Sequence, residues 1–357
     1  MSLIGAGCAA ASTESGTGES ATPAQLARRL DSVAKSGKFV FGHHDDTAYG
    51  HTWVGEPGRS DVLAAAGDYP GMMSWDLGMI EMGDSANLDG VPFATIRREA
   101  LAQHARGGAN TFSWHPRNPA TGGDSWDCSD STTVTRIIAD SAVSARYDEW
   151  CAALAGFFNS LTDSAGHRIP VIFRPWHEHT GSWFWWGRNF CTPAQYRELW
   201  TRMRRVFDRE GVDNVLWAYS PDRVADAVTY LERYPGDGYV DIMGIDVYHF
   251  NGEEGLEEYI STLRTSLSVA AAVAREHGKL LALTETGSEG IPMPQWYTQV
   301  LLPVVRDYPV SYLVVWRNAH DKPGHYYVPF EGHPAATDFR AFAADTTTLF
   351  SKDFKKY

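Results

Sequence analysis

From Pro23 onward the chain alternates short apolar runs with longer stretches of helical periodicity. The segment 23–37, PAQLARRLDSVAKSG, reads as a helix opened by proline and closed by glycine. Eight apolar runs follow, and each runs into polar residues at its end. They are FVFGHHDD (39–46), GMMSWDLG (71–78), NTFSWHPRN (110–118), PVIFRPWHE (170–178), NVLWAYSPD (214–222), DIMGIDVYHF (241–250), LLALTETG (280–287) and SYLVVWRN (311–318). Between them lie segments with apolar residues near every third or fourth position: 95–107, 134–161, 193–211, 256–278 and 294–308. Eight strands alternating with helices predict a (β/α)8 TIM barrel, with residues 23–357 as a single domain. There is no fixed-period repeat and no strong internal linker. In such a barrel, chemistry sits at the C-terminal ends of the strands. That is where every run here turns polar.

The densest of those ends is Arg174–Gly187, RPWHEHTGSWFWWG. It places Glu178 between two histidines and follows it with Trp183, Phe184, Trp185 and Trp186. A second carboxylate, Glu285, closes the seventh run in ALTETG. Strands four and seven lie across an eight-stranded ring, so their ends can face each other over the mouth. Glycosidic cleavage uses two such groups: one protonates the departing oxygen, the other attacks the anomeric carbon or activates water. Apolar neighbours Trp176 and Trp183 suit Glu178 to the proton-donor role. Thr284, Thr286 and backbone donors are expected to keep Glu285 ionised. The retaining mechanism predicts carboxyl groups about 5–5.5 Å apart. Trp185 and Trp186 read equally as core or as cleft wall.

Composition narrows the partners. Formal net charge is −13, which disfavours nucleic acid or an anionic membrane. No run of apolar residues is long enough for a transmembrane helix. Aromatic residues make up 13% of the chain, with 13 Trp, and several stand beside polar clusters. Flat rings with polar neighbours suit pyranose sugars. GHHDD (42–46) does not read as a metal site. His43 and His44 are adjacent on a strand, so at most one points inward. The segment 82–90, MGDSANLDG, lacks the closing Glu of a calcium loop and reads as a plain loop.

At RPWHEHTGSWFWWG and LTETG the chain resembles glycoside hydrolase family 26, the β-mannanase family of the retaining (β/α)8 clan, over roughly 24–350. The resemblance implies Glu178 as acid/base and Glu285 as nucleophile. It implies substrate contacts from His177, from His115 in SWHP, from Trp183, and from Tyr248 with Asp246 two residues before it. Trp316 falls on the strand-eight tryptophan, and Arg317 beside it reaches one sugar further out. Trp126 occupies a loop that varies in the family, and Arg174 belongs to the matching motif. No cofactor and no metal are expected. The implied activity is endo-β-1,4-mannanase, acting on mannan, galactomannan or glucomannan or on manno-oligosaccharides. The family leaves open a mannobiose-releasing mannobiohydrolase and a related β-1,3-xylanase or mixed-linkage glucanase. A non-catalytic mannan-binding protein would need neither glutamate. A monomer is expected.

Residues 1–22 read as a disordered N-terminal segment. IGAGCAAAS around Cys8 looks like the end of a lipoprotein signal, giving a possible lipid anchor there. The expected location is then an exported bacterial lipoprotein, periplasmic or anchored to the outer membrane, or otherwise a secreted protein. Export would permit a disulfide between Cys128 and Cys191, which follow strands three and four; free thiols are the alternative. The long connection 115–133 after strand three reads as a functional loop, either a barrier across one end of the groove or a surface lying along it.

Overall fold

The computed structural model describes residues 21–357. The expectations about Cys8 and about disorder up to residue 20 lie outside the described residues. Thr22, placed with the disordered segment, is instead an ordered cap. Its side chain accepts from the Gln25 N–H, and Gln25 answers to the Thr22 backbone, forming a capping box for α1 (Pro23–Lys35).

Eight parallel strands form the barrel: β1 Phe39–His44, β2 Met72–Asp76, β3 Ala109–Ser113, β4 Val171–Arg174, β5 Val215–Tyr219, β6 Ile242–His249, β7 Leu280–Ser288 and β8 Val310–Val315. The ring closes where β1 pairs with β8, Val40 beside Tyr312 and His43 beside Val315. Helices follow the strands in turn: α2 Asp61–Ala66, α3 Phe93–Ala105, α4 Thr133–Ala139, α5 Ser141–Ser160, α6 Pro193–Arg209, α7 Ala227–Leu231, α8 Leu256–His277, α9 Leu302–Val305 and α10 Ala336–Ala344. None of the helices among the described residues is long and apolar enough to cross a membrane.

Strand alternation divides the core in two. Val40, Met72, Ile172, Leu216, Ile242 and Val314 fill the barrel interior, and Leu26 and Leu30 of α1 pack onto this cluster. The outward faces of the strands meet the helices through a larger aromatic core, as where Phe173 stacks on Phe207 of α6 at 5.7 Å. One layer above the aliphatic interior, inward positions turn polar: His44, Ser113, Arg174, Ser220 and Asp246 are all buried. These residues form the floor of the site.

Three elements depart from the sequence expectation. The helix expected over 134–161 is broken at Asp140, whose extended backbone and side chain cap α5 by accepting from Ala142 and Val143 N–H. The helix expected over 294–308 begins as a π-helical turn, Tyr297–Leu301, before Pro303 enters α9. A short strand, Thr348–Leu349, joins the lower end of β1 beside the barrel, pairing with Phe39 and Val40.

Candidate active site

After Arg174 the chain leaves β4 and enters a tight turn, so Glu178 stands four residues beyond the strand rather than at its last position. Trp176 and Glu178 both take φ of 54°, a left-handed backbone that is strained for non-glycine residues. The turn holds because the Glu178 N–H donates to the Ser220 carbonyl at 2.8 Å, tying it to the end of β5. Glu285 sits inside β7, beside a bulge that pairs it with Asp246 of β6. One oxygen from each of Glu178, Asp246 and Glu285 lies within 4.8 Å of the others.

The three carboxylates have different partners. Arg174 is buried, and one arm donates to Asp246 (2.8 Å) and Ser220 (3.1 Å) while the other donates to Glu285. Tyr248 donates its hydroxyl to the other Glu285 oxygen at 2.6 Å. Burial and the Glu285 carboxylate push the Tyr248 pKa well above the usual phenol range, so this donor keeps its proton. Among the described residues, half-buried Glu178 receives only the Trp183 indole N–H, at 2.8 Å. Burial pushes its pKa well above the usual carboxylate range, and the charges of Glu285, Asp246 and Asp222 push it in the same direction. The two glutamates therefore differ: Glu285 is held by a guanidinium and a phenol, and Glu178 opposite favours its proton.

The donors to Glu285 correct the expectation drawn from its flanking threonines. Thr284 donates to Asp246 at 2.6 Å, and the Thr286 hydroxyl pairs with Tyr259. Both threonines serve other groups, and the charge partners come from β4 and β6. Arg174 and Asp246 form a buried ion pair beneath the cleft, 2% and 0% exposed.

From Glu178 runs a cleft of about 660 Å³, lined also by Trp183, Tyr248, Trp316, Tyr327 and Phe250 among others. Trp183 is the member of the aromatic run that reaches it. Trp185 and Trp186 are fully buried, their indole N–H groups on the carbonyls of Pro116 and His177, and Phe184 stacks on Trp186. They are core, and they brace the turn that carries Glu178. Trp316 lies over the His44 ring at 4.2 Å. His44 faces the interior, while His43 points away and bonds Asp46 at 2.8 Å, as strand alternation requires. Arg317 is held by Asp89 at 3.0 Å and Tyr49 at 3.2 Å.

His177 and His115 pack edge to face at 4.6 Å. Burial pushes the His177 pKa well below the usual imidazole range, with Arg174 and His115 adding to the shift, so the ring is neutral. His115 is pushed the other way. Burial opposes its charge, but Asp76, 2.7 Å from Nδ1, overcomes this and raises its pKa. Asp76 was missed in the reading of site residues, although its strand end SWDLG is polar like the others. Burial alone would raise its pKa; His115 with donors from Ser113 and Gly78 holds it below the usual carboxylate range. Trp126 is 49% exposed and stacks on His115 at 5.4 Å, away from the residues lining the main cleft.

Of the two alternatives, a disulfide or free thiols, Cys128 and Cys191 take the second. Cys128 Sγ contacts the Trp183 carbonyl, and Cys191 Sγ lies against the Trp186 carbonyl and the Arg233 guanidinium. The two loops are joined instead by hydrogen bonds, such as Trp185 N–H to the Ser125 carbonyl.

A (β/α)8 barrel with two unequal carboxyl groups facing across an aromatic-lined cleft defines a site of the glycoside hydrolase class. The sequence profile described as Glycosyl hydrolase family 26 matches residues 22–287. The chain belongs to glycosyl hydrolase family 26. It is 29% identical over 352 residues to a mannan endo-1,4-beta-mannosidase of Bifidobacterium adolescentis, covering 92% of this chain but 35% of that protein. It thus spans about a third of that relative's length. A mannan endo-1,4-beta-mannosidase of Bacillus subtilis is 28% identical over 302 residues, with 82% of this chain and 77% of that protein covered. Among solved structures, a family 26 β-mannanase of Bacteroides ovatus superposes with a TM-score of 0.91 at 47% identity, covering 94% of this chain and 97% of the other. A modular endo-beta-1,4-mannanase of Cellulomonas fimi gives a TM-score of 0.80 at 32% identity, covering 92% and 76%.

Proposed function

We propose that this chain is an endo-β-1,4-mannanase that works by double displacement, with Glu285 as nucleophile and Glu178 as acid/base. The observation that carries this reading is the unequal pair. One oxygen of each glutamate lies within 4.8 Å of the other, a spacing nearer the roughly 5–5.5 Å of retaining enzymes than the roughly 6.5–9.5 Å of inverting ones. In the first step a Glu285 oxygen bonds to the anomeric carbon, and the glycosidic bond breaks. Glu178 passes its proton to the departing oxygen. In the second step Glu178, now a carboxylate, takes a proton from water as that water attacks the anomeric carbon and releases Glu285.

The neighbours fit these roles. Arg174 and Tyr248 hold Glu285 aimed by donating to its two oxygens. Trp183 orients Glu178 and offers a ring face for the departing sugar. In this reading Trp316 and the neutral His177 receive the sugar whose bond is cut. Mannan as substrate rests on the relatives, which are described as mannanases. The test is hydrolysis of mannan, xylan and mixed-linkage β-glucan, with the anomeric configuration of the first product followed by proton NMR. Mannan should be cut with retention. Preferential cleavage of either other polymer moves the specificity, and inversion removes the covalent step.

A further inference from the structure

The net charge of −13 is unevenly spread. Five of the chain's seven lysines, Lys35, Lys38, Lys352, Lys355 and Lys356, fall where α1 meets the C-terminal helical turn Ser351–Phe354 and the residues after it. Contacts join these segments into one surface. The hydroxyls of Ser36 and Tyr357 share a hydrogen bond of 3.1 Å, and Lys38 Nζ lies 5.8 Å from the centre of the Tyr357 ring. Arg29 donates to the carbonyls of Gly107 (2.8 Å) and Phe354 (3.2 Å), drawing in the turn before β3. The Lys355 stem covers Gly107, where a Cβ would stand 2.6 Å from Lys355 Cγ. Beside it Arg106 lays its guanidinium over the Tyr69 ring at 4.3 Å. The cations here exceed their carboxylate partners. Lys35, Lys352 and Lys356 have Asp31 (2.6 Å), Asp68 (3.7 Å) and Asp353 (2.6 Å). Arg29, Lys38, Arg106 and Lys355 have no carboxylate partner within 4.0 Å among the described residues, and Arg106 Nη2 is buried without any partner. Lys38 leads into β1 and Gly107 into β3, so this surface lies at the end of the barrel opposite the active-site mouth.

Cations spread over three segments suit a surface of repeated anions better than one small ion. Guanidinium and ammonium groups both bind phosphate. The rings beneath them, Tyr357 under Lys38 and Tyr69 under Arg106, are of the kind that settles at the headgroup level of a bilayer, one edge apolar and the other wet. The acidic remainder of the chain disfavours an anionic membrane only as an average. At physiological salt, charges more than about 8 Å from the contact are largely screened. We propose that this end of the barrel docks on an anionic phospholipid surface, with lipid phosphates taken by Arg29, Lys38, Arg106 and Lys355. Residues 1–20 join the described chain at the same end, through Thr22 and α1. Docked in this way, the cleft between Glu178 and Glu285 faces away from the bilayer and stays open to a polymer. The proposal goes beyond the mannanase reading and does not depend on it.

The experiment is co-sedimentation of the full chain, produced without acylation, with phosphatidylcholine vesicles that contain or lack phosphatidylglycerol. Binding should appear only with the anionic lipid and should fall as sodium chloride is raised. Lys38→Glu, Lys355→Glu and Lys356→Glu together should weaken it by at least about tenfold, while mannan cleavage in solution and Tm stay unchanged. If that triple variant does not fold, Lys355→Gln with Lys356→Gln removes charge without reversing it and should give a smaller loss in the same direction. Lys322→Glu, exposed in the loop after β8 on the mouth side, should bind the vesicles as the parent does. Equal sedimentation with both kinds of vesicle would overturn the proposal. So would binding that the lysine variants retain in full, or a loss with Lys322→Glu as large as theirs. Release by inorganic phosphate, where chloride of equal ionic strength leaves the protein bound, would assign the cations to free phosphate and overturn the docking.

Discussion

At the scale of single residues, the two glutamates differ in what surrounds them, so they should fail differently. Glu178→Ala removes the proton donor. Cleavage of mannan should fall by two to four orders of magnitude, on the order of a lost general acid. Formation of the glycosyl-enzyme from an aryl mannoside with an acidic leaving group should survive, because that group departs without protonation. Glu285→Ala should abolish both reactions, since no covalent intermediate forms. Pre-steady-state release of the aryl group separates the cases, and equal losses on both substrates for Glu178→Ala would contradict the assignment. The raised pKa of Glu178 has two further consequences. The first step needs its proton, so kcat/KM should fall on the alkaline side, at a pH above the ordinary carboxylate range. A group whose pKa is raised on folding favours the folded state below its unfolded value, near 4.5, and that benefit is lost as pH rises through the raised value. Glu178→Gln should therefore raise Tm relative to the parent at about pH 8, with the gap closing toward pH 4. A Tm difference independent of pH would contradict the protonation argument.

At the scale of elements, the site depends on how β6, β7 and the loop after β8 fit together. Gly287 follows Glu285 by two residues with φ of 153°, and a Cβ there would stand 2.4 Å from the Tyr327 ring. Gly287→Ala should cost about 1–3 kcal/mol by backbone strain and displace Tyr327, which packs on Tyr248 at 5.9 Å. Thermal unfolding and kcat should both register it, and a variant unchanged in each would refute the claim that this contact holds Tyr248 in place. The barrel strands were legible in the sequence because parallel strands are buried on both faces and read as continuous apolar runs. Their polar ends were legible because the mouth is where the interior stops. The turn carrying Glu178 was not, because its left-handed residues are held by the Ser220 carbonyl, a contact from another strand. The partners of Glu285 were misread for the same reason. Neighbours in sequence on a strand point to opposite faces, so Arg174 and Tyr248, distant in the chain, reach it first. Asp140 was hidden inside an apolar periodicity that continues on both sides of it.

At the scale of the whole molecule, the long loop after β3 decides how a polymer meets the cleft. It is pinned against the aromatic run by Ser125, whose hydroxyl donates to the Pro116 carbonyl at 2.7 Å and whose own carbonyl accepts from Trp185. A loop held down this way is expected to leave the groove open, and cleavage should then be internal. A mannan digest should lose viscosity early and release mixed oligosaccharides. Mannobiose from the first minutes at nearly constant viscosity would place a barrier in the groove.

The closure of the ring also governs when the protein can begin to exist. β1 finds its partners in β8 and in Thr348–Leu349, almost the whole described chain away, and the interior of the barrel is sealed below by α1. No earlier portion of the chain contains a complete interior. Contacts this remote in sequence carry the loop-closure entropy of most of the described chain before they return anything. A growing chain must therefore stay open until its last strand is made, and the first strand must wait, unpaired on one side, for the eighth.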